Sequence, residues 1–185
     1  MIIDGFLLFT GTSNGASGGI TSSAYTDAPT TGTQDCSNII DIGVKSGIPT
    51  SANGGGARDL GIGDDPSLKL LVQVTTAFTV GTSMQVELQG APDNGSGAPG
   101  SYSVMWLGPV VTEANMVAGA YLANVDVPRT IPGQAPPRFL KLTCITVGTH
   151  TLGQIEGTIV LDRFDQMVGT GGALSGYPAG ITISN

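Results

Sequence analysis

The side chains that could perform acid–base or nucleophilic catalysis are few in this chain and lie far apart. The single histidine, His150, sits in a Gly-Thr-His-Thr segment, and a catalytic triad would need a serine and an aspartate brought to this turn. Glu87 and Glu156 could form a glycosidase pair, but nothing in the sequence predicts the ~5–9 Å carboxylate separation that such enzymes use. We therefore predict that the protein is not an enzyme and interpret His150 as an ordinary turn residue.

The polar loops give little indication of a metal, a nucleotide or another cofactor. Residues 93–97, Asp-Asn-Gly-Ser-Gly, loosely resemble a calcium loop but lack its carboxylate spacing, and Asx-turn chemistry explains the same residues. In the Gly-Ile-Gly-Asp-Asp-Pro segment 61–66, two carboxylates would repel a phosphate, which favours a tight turn. Cys36 and Cys144 belong to no metal-binding pattern and are predicted to be buried, reduced thiols. No cofactor is expected.

The composition is typical of a folded, β-rich protein and disfavours nucleic acid as a partner. The 185 residues include 29 glycines and 11 prolines, which disfavour long helices, whereas 40% hydrophobic residues suffice for a packed core. Only 7 residues are Lys or Arg and the formal net charge is −7, so binding to a phosphate backbone is not expected. No apolar run approaches the ~20 residues of a membrane span, and the N-terminal run lacks the basic residues of a secretory signal.

Alternation of apolar and polar residues predicts about eight short strands separated by loops rich in Gly and Pro. Residues 68–78 form the strongest pattern, and the turn at Gly81 and Thr82 predicts a hairpin between this strand and residues 84–89. Further strands are predicted at 37–44, 102–111, 121–127, 138–147 and 153–163, with a short helix after Thr112. The pattern predicts an all-β, antiparallel sandwich or barrel.

Several segments, taken in order, carry a resemblance to a known family. They are residues 37–43, 58–63, 68–78, 86–93, 137–142 and 157–163. In order and spacing they resemble the jelly-roll capsid cement (decoration) proteins of tailed bacteriophages, of the Bordetella-phage type. The resemblance implies an antiparallel jelly-roll sandwich with long Gly/Pro-rich loops over residues 36–168. We assign residues 1–35 to an extended N-terminal arm and residues 169–185 to a Gly-rich C-terminal tail.

The same resemblance implies a non-enzymatic virion structural protein. It would be synthesised in the cytoplasm of the host bacterium, bind the outer surface of the head and cement neighbouring capsomers of the expanded capsid. Its expected partners are the phage major capsid protein and further copies of itself, as a dimer or a trimer, with no nucleic acid and no membrane. The alternative is a carbohydrate-binding β-sandwich module of a phage head or tail appendage. That alternative needs exposed aromatic side chains, whereas Trp106, within an apolar run, is predicted to lie in the core.

Three regions are candidate contacts with the capsid or with another copy. The apolar run 6–9 could be a set of exposed anchors or an edge strand of the protein's own fold. In the turn 58–65, Arg58 could pair with a partner carboxylate or with an aspartate of the same turn. The loop 92–99 is either a contact or a bare solvent turn. The residues predicted for this interface are Phe6, Leu7, Leu8, Phe9, Arg58, Asp59, Asp64, Asp65, Asp93 and Asn94.

Overall fold

The computed structural model describes residues 7–11, 13–14, 19–20, 26–42, 68–128 and 137–161. These segments are almost entirely β-strand, and every strand pair among them is antiparallel. The strands are β1 (Ser13–Asn14), β2 (Gly19–Ile20), β3 (Gly32–Asp41), β4 (Leu68–Thr79), β5 (Ser83–Ala91), β6 (Ser103–Leu107), β7 (Val111–Thr112), β8 (Tyr121–Asp126), β9 (Phe139–Val147) and β10 (Leu152–Leu161). One turn of 3-10 helix, Glu113–Asn115, follows β7.

Two sheets pack face to face around one core. The first has three strands in the order β10–β4–β8, and the second runs β3–β9–β5–β6, with β7 pairing with the start of β5. Alternate residues of each strand point inward, so that Leu70 and Val72 of β4 share a buried cluster with Val86 and Leu88 of β5. The predicted all-β, antiparallel sandwich is therefore confirmed.

The predicted hairpin after β4 is wrong. β4 pairs with β10 and β8, whereas β5 pairs with β9, β6 and β7, so residues 80–82 carry the chain from one sheet to the other. Residues 148–151 make the same crossing between β9 and β10. Each of these strands buries an apolar face against the opposite sheet, and the turn residues alone do not distinguish this arrangement from a hairpin.

Two predicted boundaries also differ from the structure. β3 begins at Gly32 and not at residue 37, because Thr33, Gln34 and Asp35 pair with β9 although their side chains are polar. An apolar pattern cannot detect strand residues of this kind. The predicted short helix is a single 3-10 turn, and the side chain of Thr112 makes no capping hydrogen bond.

Residues 7–11 close the edge of the sandwich that β10 and β3 form. The backbone N–H of Phe9 donates to the carbonyl oxygen of Gly157 in β10 at 2.8 Å. The carbonyl oxygen of Phe9 accepts from the backbone N–H of Asn38 in β3, also at 2.8 Å. One residue thus joins the edge strands of the two sheets.

The burial of this segment corrects one prediction about the interface. The side chains of Leu8 and Phe9 are buried in the protein's own fold, which agrees with the edge-strand alternative and not with exposed anchors. Leu7 is half-buried and packs against the core. Phe6 lies outside the described residues.

Asp27 stabilises the same edge through backbone and side-chain hydrogen bonds. Its backbone N–H and carbonyl group exchange two hydrogen bonds of 2.9 Å with Ile155 of β10. Its carboxylate accepts from the N–H of Gly11 at 3.3 Å, from the N–H of Ser37 at 2.8 Å and from the Ser37 hydroxyl at 2.6 Å. This side chain therefore links the N-terminal segment to β3, and its backbone links both to β10.

Candidate interaction surface

One end of the sandwich, which we call the turn end, exposes a group of aliphatic side chains. It consists of residues 80–82, 110–120 and 147–152. Five of its side chains are between 55% and 74% exposed: Val80, Val110, Val117, Val147 and Leu152. Glu113 and His150 are the only residues of these three segments with an ionisable side chain. The turn end is thus an apolar surface with little charge, a kind of surface that commonly binds another protein.

Backbone pairing brings the three segments of the turn end together. Leu152 pairs with Thr79 at the end of β4. The N–H of Thr82 donates to the carbonyl oxygen of Val147, and the carbonyl oxygen of Thr82 accepts from the N–H of Glu113, both at 3.0 Å. Because these bonds tie both crossing turns to the 3-10 turn, the exposed side chains stand on a well-connected base.

The ring of His150 packs against the end of β4 and the crossing turn that follows it. Its centroid lies 5.1 Å from that of Phe78 in an edge-to-face arrangement, with an interplanar angle of 81°. The ring also lies so close to Gly81 that a Cβ atom there would overlap it. Within the described residues, neither ring nitrogen has a hydrogen-bond partner. These contacts give His150 a packing role in the turn, which agrees with its interpretation as a turn residue.

Val80 combines exposure with backbone strain. Its side chain is 74% exposed, and its φ angle of 71° lies in the left-handed region. No other non-glycine residue has a positive φ in the part of the chain that the structure describes. A β-branched side chain is strongly disfavoured there, and such strain is often found at functional sites.

The opposite end, which we call the charged end, carries ion pairs. Lys69 pairs with Asp126 at 2.8 Å, where β4 begins and β8 ends. The guanidinium of Arg138 donates twice to Asp41, from Nε at 2.9 Å and from Nη2 at 3.1 Å, and it also pairs with Asp93. Asp41 and, to a smaller extent, Asp93 raise the pKa of Arg138 above its usual value, so the side chain is always charged.

Asp93 and Asn94 organise their own loop at the charged end. One carboxylate oxygen of Asp93 accepts from the N–H groups of Gly97 at 3.0 Å and Gly95 at 2.7 Å. These two bonds, and then Arg138, lower the pKa of Asp93. The side-chain oxygen of Asn94 accepts from the N–H of Ser96 at 2.9 Å. This geometry supports the Asx-turn explanation of the loop.

The two candidate catalytic carboxylates do not meet. Glu87 lies on the outward side of β5, where Gln89 donates to it, and Glu156 lies on the outward side of β10. They are therefore on opposite outer faces of the sandwich, with two sheets between them. Burial raises the pKa of Glu156 above its usual value. No group of three or more potential metal ligands occurs among the described residues.

The structure separates the predicted interface residues from the turn end. Asp93 and Asn94 lie at the charged end, and Leu8 and Phe9 lie inside the closed edge. Arg58, Asp59, Asp64 and Asp65 lie outside the described residues.

Sequence reasoning missed the turn end because its five aliphatic residues come from three segments. Each of them also stands next to an apolar strand pattern that conceals it. The Val-Gly pair at 80–81 is the one signal that could have indicated an exposed turn.

No family model matches this chain, and no curated protein is significantly similar to it. No helix in the described segments has the length and apolar character that crossing a membrane requires.

Proposed function

We propose that the protein is a non-enzymatic virion structural protein that binds the outside of a tailed-phage head and cements neighbouring capsomers. The observation that carries the proposal is the turn end, where five exposed aliphatic side chains stand on hydrogen-bonded turns whose own segments contain only two ionisable side chains. The resemblance of residues 37–163 to capsid cement proteins supports the choice of partner.

The physical mechanism is mass action. A protein that binds only the assembled, expanded shell stabilises that state by the free energy of its binding. Burial of apolar surface contributes about 25 cal/mol per Å², part of which offsets the freedom lost on binding, and this contribution depends little on salt. Rigid turns add to the affinity, because few backbone degrees of freedom are lost when they bind.

Oligomerisation would strengthen this attachment. A dimer or trimer that binds two capsomers at once gains avidity without tight individual contacts. The major capsid protein and further copies of this chain are the proposed partners, the outer capsid surface is the proposed location, and no cofactor is involved. The jelly-roll topology implied by the resemblance is part of the same proposal.

The test is co-sedimentation with heads of the encoding phage that were purified without this protein. We expect saturable binding to expanded heads at both low and high salt. Val147→Asp and Leu152→Asp should each weaken binding about tenfold or more, because each places an unpaired charge in a desolvated contact. The matched control is Val104→Asp on β6, whose side chain is 48% exposed and lies outside the turn end.

Three outcomes would contradict the proposal. They are no pelleting with heads, equal losses for the control and the turn-end variants, and binding that high salt abolishes. Thermal unfolding of each variant first establishes that it is folded.

Glycan binding that survives Leu152→Asp would favour the carbohydrate-binding alternative. That alternative needs exposed aromatic side chains. Trp106 is half-buried against the core, and of the described aromatic side chains only Tyr121 is more than half exposed.

A further inference from the structure

The fold brings the two cysteines of the chain together. Cys36 lies on β3 and Cys144 on β9, and both are buried in the common core as free thiols. In the register of these strands, Cys144 pairs with Gln34, which lies two residues before Cys36. Residues two apart on a strand point to the same face, so the side chains of Cys36 and Cys144 are diagonal neighbours on the inward face.

The Cys36 thiol lies in the buried core with two polar neighbours. They are the Cys144 thiol and the Asp27 carboxylate. The Cys144 thiol and then burial raise the pKa of Cys36 far above its usual value. Because the thiolate is the reactive form, Cys36 is expected to react slowly while the protein stays folded.

We propose that Cys36 and Cys144 are a latent cross-strand disulfide pair, which closes when the chain folds or opens locally in the presence of a low-molecular-weight disulfide. One cysteine thiolate attacks the oxidant, forms a mixed disulfide and releases one thiol. The second cysteine then attacks the protein sulfur of that mixed disulfide and releases the second thiol. Two protein thiols are oxidised, one external disulfide is reduced to two thiols, and the two cysteine protons pass to those thiols.

The position of the crosslink determines its effect. The irregularity in the β3–β9 pairing lies between Asp35 and Ile39, next to Cys36. The same part of β3 holds residues 7–11 through Asn38 and Asp27 through Ser37. A bond from Cys36 to β9 would therefore fix the strand on which the closed edge depends. It would also close a loop of more than 100 residues in the unfolded chain, a length at which a disulfide restricts that state strongly.

The experiment uses the purified chain alone, so its outcome does not depend on the proposed function. The protein is unfolded in denaturant and refolded either with a mixture of reduced and oxidised glutathione or with a reductant only. Free thiols are then blocked and the intact mass is measured. We expect the oxidised sample to lose the mass of two hydrogens, to take up no blocking group and to yield a peptide pair linked through Cys36 and Cys144. Its Tm should exceed that of the reduced sample by roughly 5–15 °C.

Cys36→Ser and Cys144→Ser are the controls, and neither should gain Tm from oxidant. The native protein, incubated with the same oxidant, should form the bond much more slowly than the refolding chain. Three results would each overturn the inference. They are disulfide-linked dimers in place of the internal bond, blocked cysteines in the sample refolded with glutathione, and a lower Tm after oxidation. Because peptide mapping of the unmodified sequence decides the outcome, the test still holds if a serine variant fails to fold.

Discussion

The two ends of the sandwich are held together by different forces. At the turn end, two crossing turns and one 3-10 turn are joined by backbone hydrogen bonds, and the ring of His150 packs against Phe78 and Gly81. At the charged end, Arg138 is bonded to Asp41 and Asp93, and Lys69 to Asp126. Packing and backbone hydrogen bonds hold the turn end together, and ion pairs hold the charged end together.

This difference decides what each end can bind. The carboxylates of the charged end are engaged with cations of the same chain, and a partner would have to compete with these bonds. The aliphatic side chains of the turn end are presented to solvent, and a partner gains free energy by covering them. A change in packing should therefore destabilise the turn end in any buffer, whereas changes at the charged end should depend on salt and pH.

The largest effect is expected from Gly81→Ala at the turn end. The added Cβ would overlap the ring of His150, which is already packed against Phe78. Overpacking of this kind costs about 2–3 kcal/mol of the free energy of unfolding. Urea denaturation measures the loss, which should be the same at low and at high salt.

A double-mutant cycle sharpens this prediction. In a His150→Ala background the overlapping ring is gone, and Gly81→Ala should cost less than about 1 kcal/mol. Equal losses in both backgrounds would mean that the ring does not determine the packing of the turn end. A strong salt dependence of the Gly81→Ala loss would remove the distinction between the two ends.

At the charged end, Arg138→Met should lower the midpoint of urea denaturation by less than Gly81→Ala does. The substitution keeps most of the apolar length of the side chain but leaves the largely buried Asp41 carboxylate without the two hydrogen bonds from Arg138. The loss should be larger at low salt, since salt screens the exposed part of the network. Asp126→Asn is the control for a more exposed pair, and we expect it to have little effect. An Arg138→Met loss independent of salt would contradict the view that charge organises this end.

A smaller, pH-dependent effect is expected at Asp93. Its pKa is lower in the folded protein than its usual value of 3.8, so folding favours the ionised carboxylate. The stabilisation is present above pH 3.8 and is lost as the pH falls through the lower folded-state pKa. Asp93→Asn should therefore lower stability near pH 6 and remove part of the loss seen on acidification. Urea midpoints across acidic pH would test this, and unchanged pH profiles for the variant and the parent would contradict it.

The sequence predicted the strands of this fold well, because burial on one face of a strand leaves a period of two in the chain. The strands β4, β5 and β9 were predicted within a few residues for this reason. The sequence did not predict which sheet the strand after Thr79 joins, because a hairpin and a crossing between sheets use the same turn residues. The fold alone decides that Leu8 is buried and that Leu152 is 63% exposed, because both are leucines beside apolar patterns.

The smallest predicted change in stability, and the one of opposite sign, is Val80→Asn. Asparagine tolerates the left-handed region far better than a β-branched residue, so the variant should be more stable by about 0.5–1 kcal/mol.

If the exposed Val80 side chain is retained for docking, the same variant should bind phage heads more weakly although it is more stable. The control places the same residue at Gly95, which also has a positive φ but lies at the charged end. Gly95→Asn should leave head binding unchanged, since no exposed apolar group is altered there. A Val80→Asn protein that is stabilised and binds as well as the parent would show that the strain serves the crossing turn alone, and the docking surface would then have to lie elsewhere.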